Sequence, residues 1–176
     1  TGIGGGCVYN GQILQGANCS CMEIGHMPLI PNGPLDGCSN AGTLEAMASR
    51  LAISSSAAQA AYRGQAPHLM EKEGTDIRNI RSGAIAESIS NGDEAVLRIV
   101  ENAADYLGLS IVTIVHLLAP DLIVLGGGLV EAIPELFVSR VSQFAKQRVL
   151  PSYRDVFEVV EAKLGDNATA MGATGW

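Results

Sequence analysis

The sequence has a deficit of positive charge and no long apolar segment. Lysine and arginine total 11 against 18 acidic residues, for a net charge of −7, which argues against a nucleic-acid-binding surface on this part of the molecule. The longest apolar run, residues 107–119, is interrupted by Ser110, Thr113 and His116, whereas a membrane-spanning helix needs about 20 apolar residues. We therefore expect no contact with nucleic acid and no membrane span.

Two further features are missing from the start of the chain. There is no initial methionine, so we expect a fragment of a longer protein. There is also no recognisable secretion signal, and we expect a cytoplasmic protein. Its cysteines are then predicted to be reduced thiols rather than disulfides; they are Cys7, Cys19, Cys21 and Cys38.

Glycine is abundant, at 21 of 176 residues, or about 12% against a usual value of about 7%. One cluster, residues 1–6, reads Thr-Gly-Ile-Gly-Gly-Gly. No Gly-Lys-Ser/Thr follows it, which excludes a Walker loop, and Cys7 stands where a dinucleotide fingerprint needs its third glycine. By itself the cluster fits either a tight turn or a nest of N–H groups suited to phosphate.

The hydrophobic pattern predicts one α/β domain. Hydrophobic residues make up 47% of the chain and the mean hydropathy is +0.23, which is typical of a globular protein. Asn10-Gly11 between short apolar runs predicts a hairpin. Spacing predicts strands at 121–125 and 157–164, a central buried helix at 93–118 that ends before Pro120, and further helices at 43–53, 54–64, 84–90, 134–148 and 168–173.

Polar groups suited to a hydroxylated ligand occur within a loop region, residues 16–42. Glu23 and His26 lie three positions apart beside Gly25, and Glu45 follows in the first turn of a predicted helix. Carboxylates accept hydrogen bonds from hydroxyl groups, and imidazole donates or accepts according to its tautomer. The residues alone also fit a plainer interpretation, in which the pair is solvated and Glu45 serves the helix dipole.

Four motifs in order give the chain a resemblance to the ROK family (repressors, open reading frames and sugar kinases). They are residues 1–6, residues 16–18 leading to Glu23-Ile24-Gly25-His26, the segment 40–45 (Asn-x-Gly-x-Leu-Glu), and residues 120–128, Pro-Asp-Leu-Ile-Val-Leu-Gly-Gly-Gly. The resemblance implies an actin-like ATPase (ribonuclease H-like) lobe with a mixed sheet and packed helices. It also implies that residues 1–176 form the single C-terminal lobe of a sugar kinase whose N-terminal lobe is absent.

The roles implied by the resemblance are those of an ATP-dependent, glucokinase-like hexose kinase that uses Mg²⁺ and often forms a homodimer. Sugar ligands would be Asn18, Glu23, His26 and Glu45. The nucleotide would contact Thr1, Gly2, Gly4, Gly5, Gly126, Gly127 and Gly128. No catalytic residue is assigned, because the family's catalytic aspartate lies in the preceding lobe. Two alternatives stay open: the effector-binding lobe of a sugar-responsive transcriptional repressor, and a binding subunit without activity.

The sequence departs from the family at a metal site and at one glycine. The family usually binds structural zinc through a histidine and three cysteines; here His26 and Cys38 remain, but Asp36 and Thr43 occupy the other two positions. A set made of Cys19, Cys21, His26 and Cys38 is conceivable, but we expect no zinc and assign no metal ligand. Met22 stands where the family commonly has glycine, which could alter the choice of hexose or weaken its binding.

Overall fold

The computed structural model describes residues 2–17 and 20–174, and it is an α/β arrangement built around one long helix. Helix α5 (Glu94–Leu118) packs against α1 (Leu44–Ala48), α2 (Arg50–Tyr62), α4 (Ser82–Ser90) and α7 (Pro134–Arg148). Its inward residues include Val96, Val100, Ile111 and Val115, each at most 2% exposed. The prediction of a central helix is confirmed, although its last residues, Leu117 and Leu118, lie at the surface.

The strands form two separate pairs in the described part of the chain. β1 (Val8–Tyr9) and β2 (Gln12–Ile13) make an antiparallel hairpin, in which Asn10 and Gly11 both have positive φ, 51° and 74°. The predicted Asn-Gly hairpin is therefore confirmed. β3 (Leu122–Leu125) and β4 (Glu158–Glu161) are parallel, with Leu122 opposite Glu158 and Leu125 opposite Glu161.

A helical crossover joins the two parallel strands. It consists of α6 (Gly128–Ala132) and α7, followed by a 3₁₀ turn at Pro151–Tyr153. The carboxyl ends of β3 and β4 consequently lie at the same edge, as in any parallel pair. That edge carries the glycine cluster 126–128 on one strand and Ala162 on the other.

The contact between α5 and α7 is unusually close because Gly108 has no side chain. A β-carbon built at Gly108 would lie 2.9 Å from Cδ1 of Phe144, so the phenyl ring rests on the α5 backbone. Arg140 of α7 also donates to Asp105 at 2.7 and 3.0 Å and to Glu101 at 2.8 Å. One guanidinium therefore engages two carboxylates spaced one turn apart on α5.

Several element boundaries differ from the prediction. The helix predicted over 43–53 ends at Ala48, because extended Ser49 interrupts it and caps α2 by accepting from Ala52 N at 3.2 Å. Two short helices were not predicted, α3 (Pro67–Lys72) and α6, and the strand predicted over 157–164 is confined to β4. The final helix, α8, runs from Ala168 to Thr174.

The remaining expectations concern cysteines and membranes. Cys7, Cys21 and Cys38 are free thiols, as predicted, while Cys19 lies outside the described residues. Across the described chain, no helix combines the length and the apolar character that a membrane crossing requires.

Candidate functional site

The first glycine loop, residues 2–6, packs against the Glu23–His26 segment and against Glu45. Ile3 N donates to Glu45 Oε2 at 3.0 Å, and a β-carbon at Gly2 would overlap the same carboxylate. A β-carbon at Gly25 would overlap the Ile3 carbonyl oxygen, and one at Gly5 would lie 2.9 Å from Met22 O. Gly5 and Gly25 face backbone oxygens and are therefore needed for close approach, whatever ligand the loop binds.

Glu23, His26 and Glu45 are brought to one side of this loop. The 3₁₀ turn at Ile24–His26 is closed by His26 N donating to Glu23 O at 3.1 Å, and it packs against α1, which carries Glu45. Glu23 is exposed and accepts from Ser20 Oγ at 3.3 Å; Glu45 is half-buried. The structure thus places the three predicted sugar ligands that it describes within one cluster.

The predicted nucleotide contacts of the first glycine loop lie next to this cluster. Gly2 and Gly5 lie against it, and Gly4 beside them is exposed, with open space where a side chain would be. Thr1 and Asn18 lie outside the described residues.

His26 is held through one ring nitrogen. Its Nδ1 lies 2.9 Å from Asp36 Oδ2, and its side chain is 34% exposed. The hydrogen bond to Asp36 raises the pKa of His26 above 6.5; partial burial opposes this, while the carboxylates of Asp36, Glu45 and Glu23 add to it. Because Nδ1 is engaged, Nε2 is the atom His26 can offer to a ligand.

Asp36 organises the loop that follows. Its Oδ1 accepts from the backbone N–H of Cys38 at 2.8 Å and of Asn40 at 2.9 Å, and its Oδ2 accepts from Thr43 Oγ1 at 3.0 Å as well as contacting His26. Burial opposes ionisation, but these hydrogen bonds outweigh it and hold the pKa of Asp36 well below 3.8. We refer to Asp36 with His26, Cys38, Asn40 and Thr43 as the Asp36 hub.

The metal implied by the family resemblance does not fit these residues. Within the described chain, His26, Asp36 and Cys38 form a group whose ligand atoms lie within 4.8 Å of one another, and Cys21 does not belong to it. The fourth position holds the Thr43 hydroxyl, which already accepts from Ala46 N at 3.3 Å while donating to Asp36. A closed structural zinc site requires four sulfur, nitrogen or carboxylate ligands.

The second glycine loop lies at the carboxyl end of β3. Gly127 has φ 100° and precedes α6; a β-carbon at Gly126 would lie 3.1 Å from Ala162 Cβ, and one at Gly128 3.1 Å from Ser82 Oγ. All three glycines are exposed. The carboxyl end of a parallel strand is the usual ligand edge of an α/β sheet. The loop thus borders the start of α4 and the end of β4, two neighbours that the sequence pattern does not indicate.

Met22 adopts a backbone conformation that favours glycine. Its φ is 62°, in the left-handed region, which costs a residue with a side chain about 1–2 kcal/mol. We expect Met22→Gly to exceed Met22→Ala in free energy of unfolding by about 1 kcal/mol, or about 2–4 °C in Tm for a chain of this size. Both variants lose the same side chain, so thermal denaturation of the pair isolates the backbone. Equal melting temperatures would contradict a strained Met22.

The fold and the two glycine loops define an α/β lobe of the actin-like ATPase class. More specifically, the chain belongs to the ROK family, whose family model matches residues 1–176. The predicted family and fold class are therefore confirmed.

Both kinases and repressors are among the relatives. Glucokinase of Thermotoga maritima is 30% identical over 173 residues, which cover 98% of this chain and 54% of that protein. The xylose repressor of Bacillus spizizenii is 28% identical over 172 residues, covering 98% of this chain and 40% of the repressor. The chain thus spans about half the length of the glucokinase.

The fold is similar to that of a solved kinase. A ROK family glucokinase from Streptomyces griseus, determined in complex with glucose and AMPPNP, superposes with a TM-score of 0.87 at 26% identity, over 99% of this chain and 57% of that one. A single ROK architecture therefore accounts for the whole described chain.

Proposed function

We propose that this chain is the C-terminal lobe of an ATP-dependent, glucokinase-like hexose kinase. The observation that carries the proposal is the bond from Ile3 N to Glu45 Oε2, because it joins the first glycine loop to the Glu23–His26 cluster. A phosphate-binding loop and a group of hydroxyl-binding side chains are then adjacent, as transfer from ATP to a sugar requires. The glucokinase relatives, one of them solved with glucose and AMPPNP, support the same assignment.

In this proposal each group positions one of the reactants. The N–H groups of Gly2, Gly4 and Gly5 receive the ATP phosphates, which bring Mg²⁺ with them, and residues 126–128 contact the nucleoside end. Glu23 and Glu45 accept hydrogen bonds from sugar hydroxyls, and His26 contacts another through Nε2. Asn18, for the sugar, and Thr1, for the nucleotide, lie outside the described residues and would complete these two groups. Catalysis of phosphoryl transfer depends mainly on such positioning and on charge stabilisation.

The general base is not assigned to this chain. Glu23 is exposed and already accepts from Ser20, and a base must first satisfy geometry at the attacking hydroxyl. We propose that the base and the rest of the nucleotide site belong to the N-terminal lobe, since the chain spans about half of its kinase relatives. The homodimer and the cytoplasmic location stay predictions.

The repressor alternative is tested by an assay of the full-length protein that contains this chain. ADP release is measured with Mg-ATP and a panel of hexoses and N-acetylated hexosamines. Turnover with one sugar is the expected result, and it would also name the substrate. If no sugar gives turnover but some still raise the Tm, the kinase proposal fails and a repressor or binding subunit replaces it.

Glu23→Gln tests the sugar contacts separately. The change removes a charge-assisted hydrogen bond worth about 1.5–3 kcal/mol, so the sugar KM should rise roughly tenfold or more while the KM for ATP stays the same. Glu71→Gln, at an exposed position of α3, is the matched control and should leave both values unchanged. An unchanged sugar KM in the Glu23 variant would remove this residue from the site.

A further inference from the structure

The loop after the His26 turn is closed by hydrogen bonds that Asp36 makes within the chain. Asp36 Oδ1 accepts the N–H groups of Cys38 and Asn40, and Asp36 N donates back to Asn40 O at 2.9 Å. Ser39 N donates to Asp36 O at 3.1 Å, with Ser39 itself at φ 67°. This local pattern is that of an aspartate whose side chain replaces backbone partners in a turn.

The other carboxylate oxygen ties this closed loop to two neighbouring elements. Asp36 Oδ2 contacts His26 Nδ1 at 2.9 Å and accepts from Thr43 Oγ1 at 3.0 Å, and the Asp36 side chain is 0% exposed. Thr43 is 1% exposed and caps α1. One buried carboxylate therefore connects the His26 turn, the loop and the helix that carries Glu45.

A metal ion would compete with these hydrogen bonds rather than add to them. Two nitrogen or oxygen ligands on a tetrahedral zinc, at about 2.0–2.1 Å each, are about 3.3 Å apart, whereas His26 Nδ1 and Asp36 Oδ2 are separated by a hydrogen-bonding 2.9 Å. Asp36 Oδ1 already accepts from two backbone N–H groups, and Asp36 Oδ2 accepts from Thr43 Oγ1 and contacts His26 Nδ1. Cys38, the thiol of the group, is exposed.

We propose that Asp36 performs in this chain the structural task of a bound zinc, so that the lobe folds without metal and Asp36 is the positioning residue of His26. The loop is then closed by a side chain that the protein always carries, and its stability does not depend on metal supply. The part that concerns His26 as a sugar ligand rests on the proposed function; the metal-independent loop does not.

The wild-type, full-length protein gives the first test. After purification without added metal, elemental analysis should find far less than about one zinc per chain, and an excess of chelator should leave the Tm unchanged, since a structural zinc would contribute directly to folding. Stoichiometric zinc together with a lower Tm after chelation would overturn the proposal. Neither measurement depends on kinase activity.

A gain-of-metal variant gives the second test. Asp36→Cys combined with Thr43→Cys places three thiols and His26 around the loop, a donor set suited to zinc. This variant should bind Co²⁺ with thiolate charge-transfer absorption and should lose Tm on chelation, while the wild type shows neither change. If the wild type shows the same Co²⁺ charge-transfer absorption, the proposal is overturned. This result holds even if the variant folds poorly, because it is measured on the wild type.

Asp36→Asn tests the positioning role in the intact enzyme. Asparagine keeps an acceptor for the loop N–H groups but presents an amide toward His26, so the sugar KM should rise several-fold with the KM for ATP unchanged. Asp36→Glu restores the negative charge on a side chain that is one methylene longer. Compared with Asp36→Asn, it should recover part of the Tm but not the sugar KM. A sugar KM that is unchanged in Asp36→Asn would remove the positioning role. If the sugar panel gives no turnover at all, the metal analyses still decide whether the hub replaces zinc.

Discussion

Replacing Glu45 by alanine should impair the use of both substrates of the proposed kinase. The carboxylate accepts from Ile3 N and stands beside Gly2, so its loss frees the first glycine loop while it also removes a sugar ligand. Two charge-assisted bonds lost together amount to about 3 kcal/mol or more, which corresponds to at least roughly 100-fold in kcat/KM. Steady-state kinetics of the full-length protein with sugar and ATP varied in turn measure the effect.

A matched glutamate separates this role from the helix dipole. Glu94 lies, like Glu45, in the first turn of a helix, but it is exposed at the start of α5. Glu94→Ala should therefore cost only the dipole contribution, about 0.3–1 kcal/mol of stability, and leave kinetics unchanged. Glu45→Gln, which keeps an acceptor for Ile3 N, should affect the sugar KM more than the KM for ATP. If Glu45→Ala behaves like Glu94→Ala, the dipole interpretation is correct and the proposed site is wrong.

Asp93→Ala should strongly destabilise the chain although it lies away from the candidate site. The carboxylate is 2% exposed and accepts from His68 N at 3.2 Å, Leu69 N at 2.8 Å and Ser88 Oγ at 2.7 Å. It thus joins the start of α3 to the end of α4. Leaving these buried donors unpaired should lower the free energy of unfolding by about 3 kcal/mol, or the Tm by about 6–12 °C.

The same carboxylate should make the chain sensitive to acid. Burial opposes its ionisation, but the hydrogen bonds from Ser88, Leu69 and His68 prevail and hold the pKa of Asp93 below 3.8. Because the folded pKa is the lower one, the stabilisation is complete above about pH 4 and is lost as the pH falls through the folded value. Urea titrations at a series of pH values measure it.

An exposed aspartate provides the control for these titrations. Asp155 is exposed in the turn that precedes β4, so Asp155→Ala should leave the urea midpoint unchanged near neutral pH. A midpoint for Asp93→Ala equal to that of Asp155→Ala would show that the buried network does not stabilise the chain.

What the sequence could predict depended on how far apart the interacting residues lie. The hairpin at Asn10-Gly11 is decided by two adjacent residues, and the extent of α5 by a continuous pattern that ends near Pro120, so both were predictable. The division at Ser49 was not, because serine within an alanine-rich helical pattern is tolerated until its side chain is seen to cap the next helix. Short α6 lacked the length that makes helical spacing recognisable.

The candidate site shows the same limit at longer range. The family resemblance nominated Glu23, His26 and Glu45, but nothing local indicates that Glu45 accepts from Ile3, 42 positions away. Asp36 was noted as a substitution at a metal position, and the Asp-Gly-Cys-Ser-Asn run is a turn signal. Its reach to both His26 and Thr43 depends on how the loop returns to α1, which only the folded chain reveals.

The tight seating of Phe144 on Gly108 limits how this lobe can move. Sliding α7 along α5 by one helical turn, about 5.4 Å, would carry the ring onto a residue with a side chain and would separate Arg140 from Asp105. Interlocked helices of this kind have one stable register and travel as a rigid body. Closure around a ligand would then have to come from the glycine loops and from rotation of the whole lobe, with α5 and α7 as a fixed frame of reference.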